Sequence, residues 1–428
     1  MPNVQVVVAH PRRQHSYETV LAAQDAAMLQ RFITGVYWSG WKQYRPVLPH
    51  ILPRRLFELA RDLAETRWHE RIDPSAVTSV PPVEMLTYMA RVLGRTVPSA
   101  PLDELANFAD DLFDRTVATW LRRNPTPTIV HAFEGSAFHS LCMATKVGAH
   151  PILDVPGAYE NFIQAELNEG RSIQASKLAT WERLVQRERN QAEYLLVASA
   201  SAGQCLVENG VEPSQVVIIP YGADPDLWNP EPIHTEREQV FRALYVGQVI
   251  PRKGVRYLLE AWRRLELPNA ELVIVGGTSR EVMRLLGQYR RTCRWLGKIP
   301  HRNLPEIFRT STVFVCPSLA ETGPLVAYEA MAAGLPVLLT EPARAVARDG
   351  IEGFIVPARE VDSLAERLLW FYSHRAEARA MGVNGRNRIE GAFTWRHYRR
   401  RIAAAYAAIA AGRAVQEAVD DSVQVPSW

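Results

Sequence analysis

CPSLAETGPLVAYEAMAAGLPVLL, residues 316–339, reads as the end of a strand, a loop, a helix and the start of the next strand. Two glutamates, Glu321 and Glu329, stand there with seven residues between them, around the step Gly323-Pro324. Residues 312–317 have the length and apolar character of a strand, 318–323 read as its loop, and 324–333 as the following helix. Pro324 fits the first helical position, where its missing N–H costs nothing, and Gly334 fits the left-handed stop after the last turn. The open N–H groups and positive dipole end of such a helix form an anion site, and Gly323 lets a ligand approach the backbone. Carboxylates repel a phosphate, so the two glutamates fit hydroxyls better, one set on a sugar and one on a ribose. Taken alone, the pair reads equally well as solvent-facing helix charges.

Working outward, short apolar runs recur, each followed by a longer segment of helical period: residues 4–9, 128–131, 152–155, 194–198, 216–220, 243–246, 271–275, 312–316 and 337–339. Continuous apolar strands alternating with helices predict parallel sheets covered on both faces, hence two doubly wound, Rossmann-like α/β domains. The stretch 222–232, with three prolines, interrupts all periodicity, and it places a boundary near residue 233. The expected division is 1–232, 233–392 and a return helix with a tail over 393–428. Such sheets bind ligands beyond the carboxyl ends of their strands, so function is expected in the βα loops. In that light Lys253, at a helix start after the strand 243–246, is a candidate to neutralise a diphosphate leaving group; its bland reading is a surface lysine.

Composition narrows the class. The chain has 428 residues, 47% apolar and 22% charged, which is globular and too long for one ordinary core. No run approaches the roughly 20 apolar residues of a membrane-spanning helix. The apolar run 4–9 has no basic region ahead of it, which argues against a secretory signal and for a cytoplasmic address. The four cysteines are scattered without paired spacing, so neither a zinc site nor a disulfide framework is expected. A net charge of +3 is too small to point to nucleic acid. Residues 36–68 gather Tyr37, Trp38, Trp41, Tyr44 and Trp68 with arginines and prolines. That mixture suits sugar stacking or peripheral contact at the inner face of a membrane, and reads just as well as a packed covering loop.

The ordered set Val246-Gly247, Arg252-Lys253-Gly254, Leu296-Gly297, Pro317-Ser318 through Glu321 to Glu329 and Gly334, and Asp349-Gly350 with Gly353 to Val356 spans nearly all of residues 240–360. In this order the second domain resembles the nucleotide-sugar-binding half of retaining glycosyltransferases of family 4. The resemblance implies the GT-B fold: two Rossmann-like domains facing across a cleft, with a C-terminal helix crossing back to the first. It also implies that Glu321 holds the donor hexose, Glu329 the ribose, and Lys253 with Arg252 the diphosphate. The backbone around Gly297 would border the base, and the amides near Gly323, Pro324 and Leu325 would take the phosphate charge. Gln248 stands where the family often has an arginine. Residues 341–345 lack the family's Gly-Gly and glutamate. The first loop, 10–18, has no glycine pair, leaving Gln14, His15 and Ser16 as hydrogen-bond donors there, with Ser16 equally readable as a helix cap. His131 resembles the first histidine of the family's His-x-His segment, with Phe133 in place of the second. It is a candidate catalytic residue, or a structural one.

The function so implied is retaining, metal-independent transfer of a hexose from a nucleoside diphosphate sugar to a hydroxyl acceptor, a glycolipid or growing polysaccharide. No cofactor beyond the donor is expected. The rival readings are a GT-B epimerase or phosphorylase, and a sugar-nucleotide-binding protein without catalysis.

Overall fold

The computed structural model describes residues 4–13, 15–39, 67–83, 86, 100–156, 175–229, 240–278, 287–289 and 292–425. They divide into two compact units, one drawn from Met1–Pro156, Ala175–Leu196 and Arg399–Ser422 and the other from Val197–Tyr398 and Val423–Trp428.

The first sheet contains β1 (Val6–Ala9), β2 (Leu29–Thr34), β3 (Val77–Ser79), β4 (Ile129–Phe133), β5 (His150–Asp154), β6 (Tyr194–Val197) and β7 (Val216–Ile218), in the order β3-β2-β1-β4-β5-β6-β7. Its pairings from β3 through β6 are parallel. The second sheet contains β8 (Phe241–Val246), β9 (Ala270–Val275), β10 (Arg294–Gly297), β11 (Val313–Cys316), β12 (Val337–Thr340) and β13 (Gly353–Val356), all parallel, in the order β10-β9-β8-β11-β12-β13. The described helices of at least six residues are α1 (Ser16–Asp25), α2 (Ala100–Arg123), α3 (Phe138–Val147), α4 (Ala175–Arg189), α5 (Ala200–Glu208), α6 (Val255–Leu265), α7 (Leu304–Arg309), α8 (Leu325–Ala332), α9 (Val361–Ser373), α10 (Arg375–Ala392), α11 (Trp395–Ala410) and α12 (Val415–Asp421).

The doubly wound expectation holds for both sheets, and its cause lies in the strand composition. Every residue of β1, β4, β11 and β12 is buried, as happens when helices cover both faces. In the second unit Tyr245, Ile274, Val315 and Leu338 from four strands meet Leu258 of α6 and Leu364 of α9 in one core. In each sheet the winding reverses between the first and fourth strands, β1 and β4 or β8 and β11. That reversal opens a crevice at the carboxyl ends of those strands, and it places the loops after β8 and β11 on its two sides.

The structure corrects several expectations. Strands β2, β3, β10 and β13 were not anticipated from the sequence; β3, β10 and β13 are short and lie at sheet edges, and the first half of β2 is only half-buried, so the apolar signal is brief or broken by polar residues. Pro324 is the cap of α8 rather than its first residue, with φ −68° and ψ 104°, and the helix ends at Ala332. Gly334, at φ 71°, does supply the left-handed stop. Residues 197–229 group with the second unit rather than with the first 232 residues. The reason is local bonding: Ala223 exchanges backbone hydrogen bonds with Phe393 and Trp395, while Trp228, 2% exposed, packs on Phe308. The last long helix, α11, starts in the second unit and enters the first at Arg399. No described helix is long and apolar enough to cross a membrane. Most of the aromatic stretch 36–68, and the boundary at 233, lie outside the described residues.

Candidate active site

The loop after β8 turns through a short 3-10 segment, Pro251–Lys253, into α6. Gly254 makes that turn at φ 65°, and a Cβ there would meet the Pro317 carbonyl oxygen at 2.0 Å, so only glycine fits. The Leu319 N–H donates to the Arg252 carbonyl at 2.8 Å, and Arg252 Nη1 donates to the Ala320 carbonyl at 3.1 Å. The loops after β8 and β11 are thereby stitched together. The result brings the Lys253 ammonium onto Glu321 Oε1 as a buried-edge ion pair, the side chains 19% and 8% exposed. Ser318 Oγ donates to the same carboxylate oxygen at 2.9 Å, and Thr340 at the end of β12 donates to the Ser318 carbonyl at 2.5 Å. Beneath them, burial pushes the Cys316 thiol up to about 11, so it stays neutral beside this charge pair.

Helix α8 opens directly after this pair, and no side chain caps it. The first-turn amides of such a helix lack intrahelical partners. Gly323 precedes it at φ 148°, where a Cβ would come within 2.9 Å of Ala198 Cβ, so protein packing as well as any ligand demands glycine there. Leu325, the first residue of α8, is half-buried. Glu329 lies one turn further on, 16% exposed as a side chain, and accepts from His301 Nε2 at 2.8 Å. Gln248 is exposed, and its carbonyl accepts from the buried Tyr245 hydroxyl at 2.7 Å. Gly297 turns at φ 69° as the last residue of β10, its carbonyl accepting from the Gly276 N–H at 2.8 Å. The pair Gly276-Gly277 admits close backbone approach, but the approaching groups are the Gly247 carbonyl and the Lys298 side chain.

The equivalent helix of the first unit, α3 after β4, is closed. Asp114 accepts the His139 and Ser140 amides at 2.5 and 2.8 Å, and Glu188 accepts those of Gly135 and Ala137 at 2.7 and 2.8 Å. Burial raises both acids, Glu188 to about 8, against the pull of those hydrogen bonds.

The other predicted first-unit residues are enclosed too. His131 is fully buried on β4, its Nδ1 2.7 Å from the Tyr406 hydroxyl and its Nε2 3.6 Å from Asp154 Oδ2. It presents no surface to a substrate in this structure, because the C-terminal helix closes over it. His15 Nε2 bonds Asp154 Oδ2 at 2.9 Å and is buried. Burial alone would raise Asp154, but the two histidines against it hold its carboxyl well below the usual range. Ser16 is not a cap: His15 occupies that position, α1 begins at Ser16, and the buried Ser16 hydroxyl has no partner among the described residues. Gln14 lies outside the described residues.

The sequence reading missed Asp154 and His301. Asp154 closes an apolar run, HPILD, whose last residue is an acid, a recognisable signal; His301 follows Ile299-Pro300 without any pattern. Among the described residues no three His, Cys, Asp or Glu side chains cluster as a metal site would require.

The fold and the second unit's crevice define a two-domain α/β protein of the GT-B class, with a paired lysine and glutamate at the switch point of the second sheet. Residues 228–388 match the family model for glycosyl transferases group 1. The chain is 30% identical over 264 residues to a D-inositol 3-phosphate glycosyltransferase of Geodermatophilus obscurus, over 56% of this chain and 58% of that protein. It is 29% identical over 240 residues to an MMP alpha-(1->4)-mannosyltransferase of Mycolicibacterium hassiacum, over 53% and 57%. The chain thus spans little more than half the length of these curated relatives. Among solved structures it resembles a sucrose-phosphate synthase from Thermosynechococcus elongatus, with TM-score 0.64, 18% identity, and 96% and 100% of the two chains covered. It also resembles Anabaena HepE in complex with UDP and glucose, with TM-score 0.61, 15% identity, and 94% and 98% covered.

Proposed function

We propose that this protein is a retaining glycosyltransferase of family 4 that moves a hexose from a nucleoside diphosphate sugar to a hydroxyl acceptor, a glycolipid or saccharide chain. The observation that carries the reading is the contrast between the two post-switch helices. In the first unit Asp114 and Glu188 occupy the amides of α3, whereas α8 opens uncapped beside Lys253. An anion is therefore favoured at α8 by both dipole and cation. The matched family and the named activities of the relatives, an inositol phosphate glycosyltransferase and a mannosyltransferase, support a sugar donor for that anion.

In this reading the diphosphate lies against the α8 amides from Leu325 on, Lys253 and Arg252. Lys253 stands where negative charge grows as the glycosyl bond breaks, so its interaction is stronger in the transition state than with bound donor. Glu321 accepts from hexose hydroxyls, Glu329 from the ribose, and the Gly297 backbone borders the base. Ser318 and Lys253 both reach Glu321 Oε1, which leaves Oε2 for the sugar. The reaction needs no metal and no cofactor besides the donor, and the protein works in the cytoplasm, at the inner membrane face when its acceptor is a lipid.

A thermal-shift panel of UDP-, GDP- and ADP-sugars tests the proposal, since a ligand at 100 times its Kd stabilises by about 2.7 kcal/mol. The best donor is then incubated with EDTA present, and the anomeric configuration of the product is read by NMR. An inverted product, or activity abolished by EDTA and restored by a divalent ion, refutes the mechanism. Donor binding without any glycosyl bond cleavage, even slow hydrolysis, makes the protein a binding module instead.

A further inference from the structure

We propose that His301 is a positioning residue: it fixes the Glu329 carboxylate so that the site selects ribose over deoxyribose in the nucleoside diphosphate it takes. The inference rests on the reading of Glu329 as the ribose acceptor.

His301 Nε2 lies 2.8 Å from Glu329 Oε1. A carboxylate only accepts, so this nitrogen carries the proton and donates. The His301 side chain is 61% exposed, and burial does not enforce the contact. What holds the ring is Trp228, edge-on at a centroid distance of 5.3 Å and an interplanar angle of 88°. Trp228 is itself 2% exposed and packs on Phe308 at 5.0 Å. Its carbonyl accepts from Arg386 Nη1 at 3.4 Å, and the same nitrogen donates to the Ala332 carbonyl at 2.7 Å. Ala332 ends α8, the helix that bears Glu329. The support for the imidazole is therefore tied back to the element whose carboxylate it orients.

With Oε1 held, the planar carboxylate presents Oε2 in one direction. A ribose hydroxyl satisfies that oxygen, whereas a deoxyribose leaves it without a donor once the ligand has displaced water. A site built to bond a hydroxyl rejects the analogue that lacks it.

The test is calorimetric titration of the full chain with UDP, GDP and their 2′-deoxy counterparts, for the parent, His301→Ala, His301→Gln and Glu329→Gln, with melting curves for each. The parent is expected to prefer the better ribonucleotide by about tenfold or more. His301→Ala should bring that ratio towards one by weakening the ribonucleotide alone, at an unchanged melting temperature. His301→Gln, whose amide can still donate, should restore most of the ratio. If His301→Ala weakens both sugars equally or leaves the ratio intact, the positioning role is overturned. Glu329→Gln isolates the underlying reading: should it collapse the ratio where His301→Ala does not, only the present inference falls. Should it also leave the ratio intact, or should the parent bind none of the nucleotides, the ribose assignment falls and takes this inference with it.

Discussion

Replacing Lys253 with alanine separates an electrostatic role from a packing one. Its ammonium pairs with Glu321, whose side chain is 8% exposed, while its own is 19% exposed. Removing one partner of a fully buried pair costs about 3–5 kcal/mol. Here the lysine keeps a fifth of its surface in water, and Ser318 continues to donate to Glu321 at 2.9 Å. The folding cost is therefore expected at about 1–2 kcal/mol, or a loss of about 2–8 °C in the Tm of the second unit. The loss in catalysis is of another order: one fixed charge facing a developing anion contributes about 10²–10³ in kcat. The assay follows release of nucleoside diphosphate from the best donor, with melting curves on the same samples. A kcat within about threefold of the parent, accompanied by the melting loss, would mean that Lys253 merely neutralises Glu321. The diphosphate contact would then have to be sought elsewhere.

Three further outcomes are expected. Glu329→Ala should abolish the donor's thermal shift while leaving the unliganded Tm nearly unchanged, since its partner His301 is largely exposed; a shift as large as the parent's argues against the ribose contact. Gly254→Ala should destabilise by about 2–4 kcal/mol, from a left-handed φ of 65° and a Cβ placed 2.0 Å from the Pro317 carbonyl, measured as a fall in the urea midpoint. Burial lowers His10 to about 3 in the folded state, whereas the unfolded chain protonates near its ordinary 6.5. Between those values the unfolded state binds more protons, so stability is complete above pH 6.5 and falls as the pH drops towards 3. His10→Phe should flatten that part of the Tm–pH curve; an unaltered slope would remove His10 as its source.

How much of this was legible in the sequence depended on where each signal originates. Both sheets and their parallel sense could be read because continuous apolar strands such as β4 and β11 report burial on both faces. Gly334 and the loop from Ser318 to Gly323 were legible because left-handed backbone and helix starts have local chemistry. The Lys253–Glu321 pair joins residues 68 apart in the chain, and local pattern could name both members without revealing that they meet. His131 shows the limit most clearly: a strand-end histidine read equally as catalytic or as structural, and its partner Tyr406 lies 275 residues away on α11. Neither periodicity nor spacing carries that information, nor the closing of α3 by Asp114 and Glu188 from two other helices.

The membership of α11 and α12 in the first unit has a consequence for biosynthesis. Tyr406, Ile402 and Ile409 are buried, and Arg399 pairs with Glu18 of α1, so the amino-terminal unit is completed by residues translated only after the whole of 197–398. Until the ribosome has delivered residues 399–422, His131 lacks its phenolic partner and the apolar face that those side chains cover stays wet. A nascent chain halted near residue 390 should thus hold an unfinished amino-terminal unit, a species for chaperones to shelter, whereas the second unit lacks only its residues up to Tyr398 and the short segment Val423–Trp428.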